Sequence, residues 1–92
     1  MGRCVRIVLT QAPWEDYLHW QAHDAEMIER LDDLIRECLR DPFQGAGKPE
    51  PLSGVLDGWW SRRINGEHRL IYRVSGTGAE WALEIAQCRY HY

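Results

Sequence analysis

A chain of 92 residues with a net charge of −3 at pH 7 and 45% hydrophobic residues is sized for one globular domain, residues 1–92, and not two. It is too acidic overall for a generic nucleic-acid binder, which would carry a basic face. No apolar run approaches the roughly 20 residues that span a bilayer.

Further classes fall away on local pattern. The N-terminus has no signal-peptide h-region, and Arg6 stands where a myristoylation site requires Ser or Thr. The three cysteines, Cys4, Cys38 and Cys88, are far apart and form no CxxC pair, so neither a zinc ribbon nor a redox motif is supported. All sit in apolar runs, where a free thiol behaves as a small hydrophobe. A reducing cytoplasm is the expected compartment. A domain this small buries only roughly 60–65% of its unfolded surface, and the five tryptophans and four tyrosines supply large buried area per residue.

In chain order, Arg3–Leu9 is short, apolar and β-branched and reads as a buried strand. Thr10 is placed to N-cap a first helix with Pro13 in its first turn, and Trp14, Tyr17, Leu18 and Gln21 recur at helical spacing. Asp24 caps a second helix, whose stripe is Met27, Ile28, Leu31, Leu34, Ile35, Cys38 and Leu39. Asp41-Pro42 ends it, because the residue before a proline avoids the helical region. Residues 42–58, with three prolines and four glycines, sustain neither helix nor central strand and form a long loop of the functional or mobile kind. Trp59–Ile64 and His68–Val74 flank Asn65-Gly66, a strong hairpin signal. After a turn at Ser75–Glu80, a last strand runs from Trp81 to the end of the chain. The order is βαα–βββ. The fold class is α+β, with two helices packed on one face of a twisted, mainly antiparallel four-stranded sheet. The other face is open to water.

Acids dominate residues 1–42 and cations slightly exceed them in 43–92, so an anion-binding surface belongs to the second half. A two-residue turn at Asn65-Gly66 sets Arg62 opposite Arg69; a three-residue turn with a bulge sets Arg63 there instead. Like charges paired across a sheet repel, so two arginines on an open face imply an anion between them, and the planar guanidinium fork suits phosphate. Lys48, Arg62, Arg63 and Arg89 are the candidate RNA or phosphate contacts. Metal-free RNA cleavage needs a base for the ribose 2′-OH, a cation for the charge growing at phosphorus and an acid for the leaving oxygen. Glu50, Arg69 and His91 are of suitable types. His19 and His23, at i, i+4, lack the further ligands of a metal site, and no P-loop, GxGxxG or GxSxG motif occurs.

The runs PFQGAGKPEPL (42–52), WSRRINGEHRLIY (60–72) and CRYHY (88–92), with WEDYLHWQ (14–21), resemble the YoeB group of the RelE-like toxin superfamily, in order and over nearly the whole chain. The resemblance implies a microbial-RNase-like fold and a metal-free, cofactor-free endoribonuclease, an mRNA interferase that cuts messenger RNA in the ribosomal A site. It also implies neutralisation by a YefM-type antitoxin and, because several members are dimers, a homodimer. By motif match the acid–base residue is Glu50, the transition-state arginine Arg69, the C-terminal acid and its neighbour His91 and Tyr92, and the supporting cation Arg63. Two departures stand out: Ser53 replaces a lysine that helps some relatives hold RNA, and the turn at Ser75–Glu80 is longer than common in the family. The alternative is a non-catalytic inhibitor or binding module on the same fold, either as in relatives that poison gyrase, which lack the Glu/Arg/His set, or as a degenerate toxin kept as a binding partner, against which the intact motifs argue. Trp59, Trp60, Arg62 and Arg63 form one candidate antitoxin contact.

Overall fold

In the computed structural model, which describes residues 2–76 and 78–90, five strands and two helices follow the expected chain order. Strand β1 (Arg3–Leu9) leads into α1 (Gln11–His23) and α2 (Ala25–Arg40); β2 (Glu50–Pro51), a single 3₁₀ turn at Gly54–Leu56, β3 (Trp60–Arg63), β4 (Arg69–Ser75) and β5 (Glu80–Gln87) complete it. The sheet order is β1-β5-β4-β3-β2, with β1 parallel to β5 and the other pairs antiparallel.

The helices are delimited by local chemistry. Thr10 is extended at the head of α1, and its carbonyl accepts from Trp14 N at 3.2 Å; its side chain makes no capping bond. Asp24 serves two helices at once. Its N–H donates to Trp20 O at 2.9 Å, closing α1, and its carboxylate accepts from Met27 N at 3.1 Å, opening α2. That second bond satisfies one of the orphan N–H groups of a helix start. The stripe of α2 buries Met27, Leu31, Leu34 and Cys38 against Leu70 and Tyr72 of β4 and Leu83 and Ile85 of β5. Asp41, extended, ends α2 before Pro42.

Three sequence expectations change. The run Arg3–Leu9 is a strand but not a buried one: it lies at the edge of the sheet, with β5 as its one neighbouring strand, and Val5 is 47% and Ile7 43% exposed. Apolar content specifies extended backbone, but it does not distinguish an edge from a centre. The sheet has five strands rather than four, because Glu50 and Pro51 of the predicted loop pair with Ser61 and Trp60. The last strand stops at Gln87, and residues 88–90 bend away from the ladder.

The loop after α2 is tied down by one side chain. Arg62 is completely buried. Its Nε donates to the Tyr72 hydroxyl at 3.0 Å, Nη1 to Ala46 O at 2.9 Å, and Nη2 to Asp41 O and Gln44 O at 2.5 and 3.0 Å. Tyr72 in turn donates to Pro42 O. A guanidinium is one of few groups able to satisfy so many carbonyls from one point. Gly47, at φ +81°, passes so close that an added Cβ would stand 2.8 Å from Leu34 Cδ2, and its carbonyl accepts from Arg63 N at 2.7 Å. These ties deliver residues 48–51 to the edge of β3.

Candidate active site

The β3–β4 turn decides which arginine meets Arg69. Arg63, not Arg62, is its cross-strand partner. The connection is Asn65-Gly66-Glu67, closed by Ile64 N donating to His68 O at 3.0 Å. The Asn65 side-chain oxygen accepts from both Glu67 N and His68 N at 2.8 Å, an Asx turn that replaces the two-residue hairpin. Strand residues alternate between faces. Arg63 therefore shares one face with Arg69, while Arg62 points to the helix side, where it is consumed by the loop carbonyls.

Directly opposed residues share a face. Glu50 opposes Ser61, Ser61 opposes Ile71, and Ile71 opposes Gln87, so these four form one row across the sheet; Arg63 and Arg69 form the next. Glu50 is thus the diagonal neighbour of Arg63, about 7–8 Å away by sheet geometry. Glu50 is exposed, with Lys48 Nζ 3.9 Å from its Oε1. Lys48 has a left-handed backbone, φ 54°. Arg69 is only 9% exposed, and its Nη1 donates to Asn65 O and His68 O at 2.7 and 3.0 Å. Among the described residues neither Arg63 nor Arg69 has a carboxylate within 4 Å. Arg73, two rows along the same face, does: it pairs with Glu84 and stacks over Trp59 at 4.4 Å. Among the described residues the face therefore carries two juxtaposed cations without a counter-ion beside an accessible carboxylate, an arrangement fit to receive a phosphodiester.

Residues 88–90 are brought to the same place. Tyr90 O accepts from Arg69 N at 3.0 Å and from Gln87 Nε2 at 3.2 Å, and Tyr90 N donates to His68 Nδ1 at 2.7 Å. Trp20 Nε1 donates to Cys88 O at 2.8 Å. Tyr90 itself is left-handed, φ 68°. His91 and Tyr92 lie outside the described residues. Arg89 lies against aromatic rings, 4.6 Å from that of Tyr90 and 5.7 Å from that of Trp20. Burial raises the Asp16 carboxyl above its ordinary value, opposed by the Cys88 N–H and the Arg89 charge.

Of the sequence-predicted residues, Glu50, Lys48, Arg63 and Arg69 gather on or beside one face. Arg62 is a correction: with no exposed surface and its donors spent on Tyr72 and three carbonyls, it is a structural residue and not a phosphate contact. Trp59 and Trp60 are both half-buried, Trp60 against Phe43 at 4.9 Å. Sequence reasoning gave no role to His68, whose only signal was its place next to Arg69. Among the described residues no group of three His, Cys, Asp or Glu side chains could hold a metal ion, and no helix is long and apolar enough to cross a membrane.

The backbone overlays that of the YoeB/ParE toxin from Agrobacterium tumefaciens with a TM-score of 0.93, at 56% identity over 96% of this chain and all of that one. It also overlays YoeB from the YoeB-YefM complex of Staphylococcus aureus, with a TM-score of 0.83 at 38% identity over 94% and 95% of the two chains. The fold is thus that of a small bacterial toxin. In sequence, the chain is 49% identical to Toxin YoeB of Streptomyces coelicolor over 88 residues, 96% of this chain and all of the relative. Residues 9–92 match the family described as YoeB-like toxin of bacterial type II toxin-antitoxin system, and the chain belongs to that family.

Proposed function

We propose that this toxin is a ribosome-dependent endoribonuclease that cuts messenger RNA in the ribosomal A site without a metal. Glu50 takes the proton from the ribose 2′-OH. The freed oxygen attacks the adjacent phosphorus, and the bond to the 5′-oxygen breaks. Arg69 neutralises the charge that grows on the phosphoryl oxygens. His91, beside Tyr92, returns a proton to the departing 5′-oxygen, leaving a cyclic phosphate and a free 5′-hydroxyl. Lys48 and Arg63 hold the flanking backbone, with Arg89 a further contact near the chain end.

The observation that carries this reading is the common face of Glu50, Arg63 and Arg69, with Tyr90, the residue before His91, fastened to the backbone of Arg69. The acidic net charge fits an enzyme whose message is held by the ribosome, since a free RNA binder needs many phosphate contacts of its own. Cleavage of naked RNA is accordingly expected to be weak. A YoeB from S. aureus has been solved with YefM and as a dimer; a YefM-type antitoxin and a second copy are the partners proposed here, in the cytoplasm.

The test is end-labelled message on programmed ribosomes, with wild type, Glu50→Gln, Arg69→Ala and His91→Ala. Wild type is expected to cut in the A site, and each variant, folded, to lose about 10²–10³-fold or more in rate. Wild type that binds ribosomes but leaves the message whole makes the chain a non-catalytic inhibitor.

A further inference from the structure

His68 is bonded from both ends. Its carbonyl accepts from the Arg69 guanidinium at 3.0 Å, and its ring Nδ1 accepts from Tyr90 N at 2.7 Å. Because Nδ1 accepts, the ring proton is carried on Nε2. The side chain is 11% exposed, and the ring meets Trp20 edge-on with centroids 4.7 Å apart. That same indole donates to Cys88 O. The backbone of His68 is itself held by the Asn65 side chain.

One residue therefore touches both the Arg69 guanidinium and the backbone of Tyr90. This double contact works against a cost. A non-glycine residue in the left-handed region, such as Tyr90 at φ 68°, is disfavoured and persists only where its surroundings over-determine it. The bond that Tyr90 N donates to His68 Nδ1 and those that Tyr90 O accepts from Arg69 N and Gln87 Nε2 supply that determination.

We propose that His68 is a positioning residue: through its Nδ1 it holds Tyr90 against Arg69 and so fixes, beside the face that carries Arg69, the backbone position from which His91 continues. The inference deepens the nuclease reading and rests on it. His68 need not touch the RNA. Its part is to fix the backbone of Tyr90, and small misplacements of a catalytic group that follows a fixed backbone position are costly in rate.

The experiment uses the full chain on programmed ribosomes, with His68→Phe, His68→Asn and His68→Gln. Phe keeps the ring against Trp20 and loses the acceptor. Asn loses the ring but puts its side-chain oxygen near the place of Nδ1, whereas Gln reaches toward the place of Nε2. If the ring edge alone mattered, Phe would be the mildest change; if the acceptor matters, Asn is. The expected result is a kcat lower by about 100-fold in His68→Phe with KM for ribosomes changed less than about twofold, and rescue to within about tenfold of wild type by Asn but not by Gln. Hydrogen exchange at the Tyr90 amide should quicken in Phe and Gln and stay slow in Asn. Should Phe fail to fold, the Asn and Gln pair decides alone. An active wild type with equally active Phe and Gln variants, or with Asn no better than Gln, overturns the positioning role and leaves the nuclease reading standing. A wild type that cuts nothing overturns both.

Discussion

Arg62 and Tyr72, side by side on β3 and β4, form a relay that runs from the sheet into the loop after α2: the guanidinium donates to the phenol, and the phenol donates to Pro42 O. Both side chains are fully buried, and burial pushes the Tyr72 hydroxyl up to about 12. Removing a buried donor strands its acceptors, at about 1–3 kcal/mol each. Tyr72→Phe is therefore expected to cost about 1–3 kcal/mol and Arg62→Ala about 3 kcal/mol or more. Urea unfolding measures both. Arg62→Lys should rescue little, because an ammonium cannot reproduce the fork. An Arg62→Ala variant as stable as wild type would remove Arg62 from this role.

Gly47 makes a second prediction. Its backbone is left-handed, and a methyl group there meets Leu34 and the Arg63 carbonyl. Gly47→Ala is expected to destabilise by about 2 kcal/mol or more, from the conformational penalty and the crowding together. It should also depress cleavage beyond the loss of folded protein, since Gly47 O receives the Arg63 N–H. Comparing midpoints of unfolding with rates at a temperature where both proteins are folded separates the two effects. Gly54→Ala, where an added Cβ meets nothing, controls for the positive φ alone.

The Arg63–Arg69 pair stores like-charge repulsion in the native state. Arg63→Ala should therefore leave stability unchanged or slightly improved while weakening message cleavage. An anion on the face offsets the repulsion, so inorganic phosphate should raise the melting temperature of wild type by the linkage of ligand to fold. The rise should shrink in Arg63→Ala. Equal rises in the two proteins would show that phosphate binds elsewhere.

Two thiols give a pH dependence. Burial pushes Cys38 from 9.0 to about 11 and Cys88 from 9.0 to about 12. An acid whose pKa is raised by folding contributes stability that is whole below the unfolded value and lost as pH rises through the folded one. Above pH 9 the unfolded chain ionises these thiols and the native chain does not, so stability should fall by about 1.4 kcal/mol per pH unit per thiol. The fall should continue to about pH 11 for Cys38 and about pH 12 for Cys88. Cys38→Ala should flatten the curve over this window while lowering its level at pH 7 through the cavity it leaves. At pH 8 a thiol reagent should label Cys4, which is only half-buried, well before the other two.

The helices were legible because each boundary has a local cause: Asp24 caps, Asp41-Pro42 stops, and the stripe of α2 has the period of its own burial. The family resemblance singled out Glu50 and Arg69, and both sit beside Arg63. What the sequence could not tell lies in long-range pairing. Apolar residues 3–9 read alike at an edge or in a centre. A two-residue strand that follows one proline and ends in another has no periodicity to see. Whether Arg62 or Arg63 faces Arg69 turned on one extra residue in a turn, Glu67, because shifting register by one exchanges the faces of every side chain. The early stop of β5 depends on Trp20 and His68, distant in sequence, capturing residues 88 and 90.

Asp24 closes α1 and opens α2 with no residue to spare. The angle between the helices is thus set at a single backbone position, and each helix answers for a different half of the face. Through Trp20, α1 holds Cys88 after β5; through the loop that Arg62 captures, α2 holds Glu50. An insertion at this joint would misalign both at once. The 3₁₀ turn near Gly54 and Gly58, where added atoms meet only open space, has no such duty. Among descendants of this chain, changes in length are expected to accumulate in that turn and to be purged at residue 24.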